Sequence, residues 1–386
     1  MTNKLLNRLS RILPAPPHRG GREGLALLLL LLPLCLGAET IKFVYVSDCH
    51  YGLSRTFRAQ EGVSAQAVSR AMIEKINLLP QAVLPNDGGV WGGQKVGTID
   101  FVANTGDIAN RMEPGVQTAA RSWAQFEGDW GGLLDVKRDG GSKSQLYLLP
   151  GNHDASNAIG WCKPMRPERD ATAMAGIFNL MMKPKTGRTA ASFDYGKDKV
   201  RYSFTLKGVH FVFAGIWPDR PTRRWIEADM ARTGAQMPVI LFAHDQPDVE
   251  AKHFVNPNGR HDINPEDRFE NLLEDTSSVR NRKDVPTRER GELADFLSKN
   301  RRIKAYFHGN ENYNEFYRWP EGAQKAATPV FRVDSPMKGV YSSADESQLS
   351  FIFVCIDTDS RRLTARECLW NAGTGLKWGQ SVSIGL

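Results

Sequence analysis

Five short apolar runs in this chain each end in polar side chains of the kind that bind metal ions. The endings are, in chain order, Asp48 with His50, Asp107, Asn152 with His153 and Asp154, His244, and His308. Runs rich in Val, Ile, Phe and Tyr that stop at Gly, Asn or Asp predict β-strands. In open α/β sheets, sites gather at the carboxyl ends of the strands, so we expect these side chains to converge.

The segments between the runs predict helices and a hairpin. Apolar residues recur at helical spacing over 64–78, 117–134, 221–232 and 288–299. Residues 200–216 form two alternating runs around Lys207-Gly208, which predicts a β-hairpin. Strands that alternate with helices, followed by the closing strands LSFIFVCID and LTARECLWN, indicate an α/β fold of two packed sheets flanked by helices.

The first 38 residues differ from the rest. A basic head precedes the apolar run LALLLLLLPLCL and the small residues Gly37 and Ala38, which predicts a secretory signal peptide over 1–38. A short uncleaved membrane anchor is the alternative, and a lipoprotein site at Cys35 is a weaker one because Leu34 is bulky. We therefore expect an exported protein, periplasmic or secreted, with no stable membrane span after cleavage.

The remaining chain, 39–386, reads as one domain. No linker interrupts it, and the long polar stretch 246–287 is expected to be an insertion loop that contributes to specificity. The whole chain has a net charge of +7, but the leader carries +4 of it, which leaves about +3 for the mature protein. So small a charge does not indicate nucleic acid binding.

The cysteines leave two interpretations open. Cys355 and Cys368 lie on neighbouring apolar runs, so a disulfide across a hairpin is one possibility and buried free thiols are the other. Cys49 and Cys162 add further possible pairings, and the spacing of the four fits no zinc ribbon.

The strand endings have the chemistry of a mixed nitrogen and oxygen site. Asp48 and His50 are two residues apart, so in an extended segment they would point to the same side and bind one ion. Asp107 offers two oxygens that could bridge two ions, and Asn152 and His244 supply an amide oxygen and an imidazole. This donor set suits Mn²⁺, Fe or Zn²⁺.

The order D-x-H, G-D, G-N-H-D and H, over roughly residues 41 to 320, resembles the calcineurin-like metallophosphoesterases. The resemblance implies a four-layer α-β-β-α fold with two divalent metal ions. It implies that Asp48 and His50 bind one metal, that Asp107 bridges, and that Asn152 and His244 bind the other.

The resemblance also implies hydrolysis of a small phosphate ester. A hydroxide that bridges the metals would attack phosphorus, and a protonated His153 would assist the leaving group. Asp154 would orient His153, or alternatively cap the turn. A degenerate member that binds a phosphorylated ligand or one metal without turnover is the alternative function, and the substrate, monoester or diester, is left open.

The last motif of this family, G-H-x-H, is altered here. In one register Asn310 and Asn312 stand where the two imidazoles are expected. In a second register His308 supplies an imidazole two positions early, with Asn310 as its partner and Asn312 on the same side. The second register is preferred because no other histidine is near, although His308 could instead be buried at the strand end.

Other polar residues are weaker candidates. His210 lies within an apolar strand and is expected in the core. Asn110 with Arg111, and His253 with His261 in the long loop, could reach a substrate.

Overall fold

The computed structural model describes residues 39–109, 117–155, 170–249, 285–322 and 327–386. The predicted signal peptide, most of the predicted insertion loop, and the candidates Asn110, Arg111, His253, His261 and Cys162 lie outside these ranges. Within them, no helix is both long and apolar enough to cross a membrane.

Two six-stranded mixed sheets form the centre of the molecule, and a short hairpin lies beside them. The first sheet has the order β14-β13-β12-β1-β4-β5, the second has the order β10-β11-β9-β8-β7-β6, and β2 pairs with β3. The strands are β1 (Thr40–Val46), β2 (Ser54–Phe57), β3 (Gln60–Ser64), β4 (Phe101–Asn104), β5 (Gln145–Leu148), β6 (Tyr202–Leu206), β7 (Val209–Phe213), β8 (Val239–Phe242), β9 (Ile303–His308), β10 (Glu315–Trp319), β11 (Thr328–Arg332), β12 (Ser350–Asp357), β13 (Arg362–Leu369) and β14 (Lys377–Gly385).

Four of the helices match the predicted ones closely, and there are two additions. They are α1 (Ala65–Leu78), α2 (Ala119–Gly132), α3 (Asn152–Ala155), α4 (Thr172–Met182), α5 (Arg220–Met230) and α6 (Val285–Lys299). Side-chain caps fix where three of them begin: Ser64, Thr118 and Asp219 each accept a hydrogen bond from a backbone N–H in the first turn. The sequence analysis predicted neither α3 nor α4.

The alternation of side chains along the strands explains the layers. In the second sheet, Phe211 and Phe213 of β7 point into the core between the sheets, whereas Val212 points to the outer face. Phe43 of the first sheet meets Phe211 and Phe242 of the second edge-to-face, with ring centroids 6.0 and 5.9 Å apart. Both faces of the central strands of the second sheet are therefore buried, which explains why β8 is continuously apolar and β7 nearly so.

Helices cover the outer faces. Met72 and Ile73 of α1 and Phe126 of α2 belong to the same core cluster as the first sheet. Ile226 of α5 and Leu293 of α6 pack on the outer face of the second sheet. The order of layers is α-β-β-α, so the predicted fold class is confirmed.

The predicted hairpin is present, whereas the possible disulfide is not. Lys207 and Gly208 both have positive φ, 44° and 77°, which is the conformation of a two-residue turn between β6 and β7. Cys355 lies opposite Thr364 and Cys368 opposite Phe351, so the two cysteines are out of register, and both are buried free thiols.

Candidate metal centre

The site lies where strands of both sheets end at a common edge. Hydrogen bonds join the loops across the sheets. Nδ1 of His244, after β8, lies 2.8 Å from the carbonyl oxygen of Thr105, after β4. The backbone N–H of Asn310, after β9, donates to Oδ2 of Asp48, after β1, at 2.9 Å. The convergence expected from the strand endings is therefore present.

The loops after β1 and β4 reach this edge through left-handed backbone. Asp48, His50 and Asp107 have φ values of 57°, 44° and 51°. Such values are uncommon for non-glycine residues and cluster at functional sites. The prediction that Asp48 and His50 lie in an extended segment is wrong, because β1 ends at Val46. The two side chains still meet, but a sharp turn brings them together.

Among the described residues, ligand atoms of His50, Asp107 and His153 lie within 4.8 Å of one another, and so do those of Asp48, Asp107 and His244. A first group of ligand atoms is centred on Nε2 of His50, with Oδ1 of Asp48 and Oδ2 of Asp107 as its neighbours. Nε2 of His50 lies 3.6 Å from each of the two carboxylate oxygens. All three residues are at most 2% exposed. Within the described part of the chain, Oδ1 of Asp48 and both ring nitrogens of His50 have no hydrogen-bond partner. Ligands at about 2.1 Å from one ion stand roughly 3.0–3.5 Å apart, so these orphaned atoms fit a bound cation.

A second group consists of Oδ1 of Asp107, Oδ1 of Asn152 and Nε2 of His244. Nε2 of His244 lies 3.4 Å from the carboxylate oxygen and 3.0 Å from the amide oxygen. Since Nδ1–H of His244 donates to the carbonyl of Thr105, the lone pair on Nε2 faces these two oxygens. Three electron-pair donors around one point again fit a cation, and Asp107 presents one oxygen to each group.

Burial and neighbouring charges shift the pKa values of three residues in the site. Burial raises the pKa of Asp107 well above its ordinary value, and the nearby carboxylate of Asp48 adds to the effect. Burial opposes protonation of His244, but the charges of Asp107 and Asp48 outweigh it and raise its pKa. Burial, aided by the charge of Lys338, lowers the pKa of His50 to about 3. His50 is thus a neutral imidazole, the form that binds metals.

Two glycines allow the loops to approach this closely. A Cβ on Gly151 would stand 2.2 Å from Oδ1 of Asp107, and one on Gly309 would stand 2.2 Å from Oδ2 of Asp48. No side chain fits at either position, so both glycines are required by the carboxylates of the site.

His153 lies beside the first group and contacts a residue that the sequence did not indicate. Its backbone N–H donates to Oδ1 of Asp107 at 2.8 Å, and its Nε2 lies 3.8 Å from Oδ2 of the same carboxylate. Nζ of Lys338 lies 3.2 Å from Nε2 of His153. Lys338 follows β11, which runs parallel to β9 and so ends at the same edge. The apolar run TPVFRV before Asp334 was the available signal.

Asp154 is engaged with the backbone of the loops. Its carboxylate accepts hydrogen bonds from the N–H groups of Ile108, Ala109 and Gly151 at 3.2, 2.8 and 2.9 Å. Burial raises its pKa to about 6 against the opposing effect of these three bonds. These contacts agree with the turn-capping role, and an orienting role toward His153 stays a prediction.

The altered last motif lies next to the site, and its side chains form hydrogen bonds with other groups of the protein. His308 is fully buried, with Nδ1 2.9 Å from the carbonyl oxygen of Gly309 and Nε2 2.8 Å from the hydroxyl of Tyr317. Nδ2 of Asn310 donates to Gln246, and Nδ2 of Asn312 donates to the carbonyl of Asn310, both at 2.8 Å. Metal binding by His308 would require the exchange of one of its two hydrogen bonds. Oδ1 of Asn312, by contrast, is buried and has no hydrogen-bond partner among the described residues. The choice between the two registers stays a prediction.

His210, the remaining candidate within the described ranges, has a structural role in the core, as predicted. His210 is buried, with Nδ1 2.9 Å from Oγ1 of Thr205 and Nε2 2.8 Å from Oδ2 of Asp229. Both ring nitrogens are thus used within the second sheet and α5.

The fold and the site together define a class of protein: a four-layer α/β protein with a buried histidine and aspartate cluster where its strands end. A sequence profile described as calcineurin-like phosphoesterase matches residues 41–310. The chain belongs to the calcineurin-like phosphoesterase family, and the resemblance indicated by its motifs is confirmed.

The solved structures that match this chain do so with low sequence identity and low TM-scores. The phosphoesterase YfkN of Bacillus subtilis is 10% identical, with a TM-score of 0.34, and the match covers 90% of each chain. A predicted phosphoesterase of Streptococcus pneumoniae is 8% identical, with a TM-score of 0.32 and coverage of 90% of this chain and 99% of that one. Vps29 of Entamoeba histolytica with Zn²⁺ is 7% identical, with a TM-score of 0.29 and coverage of 89% and 99%. No curated protein matches significantly.

Proposed function

We propose that this protein hydrolyses a small phosphate ester with the help of two divalent ions, of Mn, Fe or Zn. The observation that carries the proposal is the position of Asp107, whose two oxygens each belong to a buried group of metal-type ligands. A single carboxylate shared in this way is the arrangement that a two-metal site needs.

Bound divalent ions would polarise the phosphoryl oxygens and lower the pKa of a water molecule to near neutrality. The chain itself supplies the geometry around them. Asp48 and His50 would hold one ion, Asn152 and His244 the other. Nε2 of His153 lies 3.8 Å from Oδ2 of Asp107, so its imidazole would stand beside a phosphate bound at the centre and assist the departure of the leaving group.

A second candidate function is a family member that binds a phosphorylated ligand, or a single metal ion, without turnover. The observation in its favour is the last motif, where both ring nitrogens of His308 are used in hydrogen bonds, so this imidazole is not free to add a fourth ligand to either group. Each ligand group then has three protein atoms, which would hold an ion less tightly than four.

The experiment that separates the two functions uses the mature chain. Metal content is measured after purification with Mn²⁺, Fe²⁺ or Zn²⁺, and hydrolysis of a chromogenic phosphomonoester and phosphodiester is assayed in parallel. Two ions per chain, with turnover lost in His153→Ala but metal content kept, would support hydrolysis. A well-folded protein with one ion or none, and no turnover, would support the second candidate.

We also propose that the protein is exported, which rests on the basic and apolar sequence of residues 1–38. Expression of the full chain followed by N-terminal sequencing tests this. A mature N-terminus near residue 39 in the periplasmic or secreted fraction supports it, and an intact Met1 in the membrane fraction supports the uncleaved anchor.

A further inference from the structure

We propose that Lys338 binds a non-bridging oxygen of the substrate phosphate and makes the site prefer phosphate monoesters to diesters. This inference rests on the proposed function, and it assigns a role to a segment that lies beyond the family match at residues 41–310.

Lys338 stands at the open side of the site. Asp48, His50 and His244 are fully buried, whereas Lys338 is half-buried and can meet a ligand that enters from solvent. Its Nζ lies 3.2 Å from Nε2 of His153, which in turn lies 3.8 Å from Oδ2 of Asp107. The ammonium group and His153 therefore share one side of the bridging carboxylate, where the substrate phosphate must be placed.

The backbone that carries Lys338 is fixed to the site. Oγ of Ser335 donates to the carbonyl oxygen of Asp48 at 2.8 Å and accepts from the N–H of Lys338 at 2.9 Å. The N–H of Val340 donates to the carbonyl of Asn312 at 2.7 Å. One serine thus links the metal-ligand loop to the lysine, so the ammonium group is preorganised rather than carried on a free loop.

The next residues are held as firmly. Arg55 donates from Nη1 to the carbonyl of Pro336 at 2.8 Å and from Nη2 to the carbonyl of Ser342 at 2.6 Å. A Cβ on Gly339 would stand 1.8 Å from Oγ of Ser342 and 2.5 Å from Oδ1 of Asp334, so the chain is packed closely right after the lysine.

Charge explains the predicted selectivity. A phosphate monoester is mostly a dianion at neutral pH, because its second pKa is about 6, whereas a diester carries a single negative charge. A monoester also has three non-bridging oxygens, so one remains for an ammonium group when two metals take the others. In a diester that position holds a substituted oxygen, which is a poorer acceptor and carries an alkyl group.

The test compares two substrates with one leaving group, 4-nitrophenyl phosphate and methyl 4-nitrophenyl phosphate, on the metal-loaded protein. Lys338→Met keeps the apolar stem and removes the charge, and Lys338→Arg restores a charge. We expect Lys338→Met to lower kcat/KM for the monoester roughly 10- to 100-fold, the range of one charged hydrogen bond, and for the diester less than about threefold. Lys338→Arg should recover most of the loss.

A binding measurement gives a second readout that does not need turnover. Calorimetric titration of the metal-loaded protein with inorganic phosphate should show weaker binding in Lys338→Met, while titration with dimethyl phosphate should change little. Metal content and melting temperature of the variants are checked, and Lys377→Ala on the exposed edge strand β14 is the matched control, expected to behave like the wild type.

The outcomes separate this inference from the proposed function. Equal losses for both esters would mean that Lys338 only positions His153, and unchanged kinetics would mean that it has no role; both overturn the inference while hydrolysis stands. If the wild type shows no turnover, the proposed function fails. In that case, phosphate binding that is weaker in Lys338→Met than in the wild type would still support a phosphate-binding role for Lys338. Phosphate binding that is equal in the two proteins would overturn that role as well.

Discussion

Nε2 of His244 lies 3.4 Å from Oδ1 of Asp107, and the lone pair of the imidazole points toward the carboxylate because Nδ1–H is used by a backbone carbonyl. A nitrogen and an oxygen that both donate electron pairs repel each other unless a proton or a cation lies between them. The same carboxylate faces His50 through its other oxygen, at 3.6 Å. Asp107 is therefore the residue on which both halves of the candidate centre depend.

The first prediction concerns metal content. Asp107→Asn removes the charge shared by both ligand groups, so we expect both ions to be lost or weakened by at least about tenfold. His50→Ala should weaken mainly one of the two. Metal analysis of purified protein and titration with Mn²⁺ measure these effects, and Asp295→Asn on the exposed face of α6 is the control. Loss of both ions in His50→Ala as well would mean that the two groups do not act separately.

The second prediction concerns His308. Both of its ring nitrogens are hydrogen-bonded, so we expect His308→Ala to lower the free energy of unfolding by about 2–4 kcal/mol without changing the number of ions bound. Tyr317→Phe removes only the hydroxyl partner and should cost about 1 kcal/mol. Denaturant unfolding and metal analysis are the measurements. An ion lost in His308→Ala but kept in Tyr317→Phe would establish the imidazole as a ligand.

The third prediction concerns the close approach at Gly309. An added methyl group would stand 2.1 Å from Oγ of Ser47 and 2.2 Å from Oδ2 of Asp48. We expect Gly309→Ala to cost about 1–3 kcal/mol of stability and to weaken metal binding, since the ligand loop must move. Gly291→Ala, in α6, is the matched control: nothing lies within 4 Å of its Cβ, so it should stabilise the protein by up to about 1 kcal/mol. Equal effects of the two substitutions would contradict the packing argument.

The fourth prediction concerns pH and a salt bridge away from the site. The fully buried Arg366 donates from Nε and Nη2 to the two oxygens of Asp87, both at 2.8 Å. This pairing lowers the pKa of Asp87 from 3.8 to about 2. A carboxylate with a lowered pKa stabilises the fold fully above its unfolded value and loses that effect as the pH falls toward the folded value.

We therefore expect Asp87→Asn to be less stable than the wild type by at least about 2 kcal/mol at pH 7. The difference should shrink as the pH is lowered from about 4 toward 2, where Asp87 becomes protonated. Urea unfolding across this range measures it. A difference that stays constant with pH would show that the charge of Asp87 contributes nothing.

Much of the fold was predictable because its signals are local. The helices at 65–78 and 119–132 follow from periodic apolar residues after a capping Ser64 and Thr118. The strand endings Asp48, Asp107 and His244 could be found because each follows an apolar run directly. β11 was missed because its apolar run is short and is interrupted by Arg332, and the segment that brings Lys338 to the site was missed with it.

The sequence by itself determined the α/β class, the kind of ligands at the strand ends and the family of the protein, since these depend on residues close together in the chain. Only the tertiary structure decided which ligands meet. Asp48 and His50 come together through left-handed backbone, and His308 forms a hydrogen bond with Tyr317. Ser335 joins the segment of Lys338 to the loop of Asp48, which lies 287 positions before Ser335 in the chain. Contacts across such distances depend on how two sheets pack, which no local pattern of residues encodes.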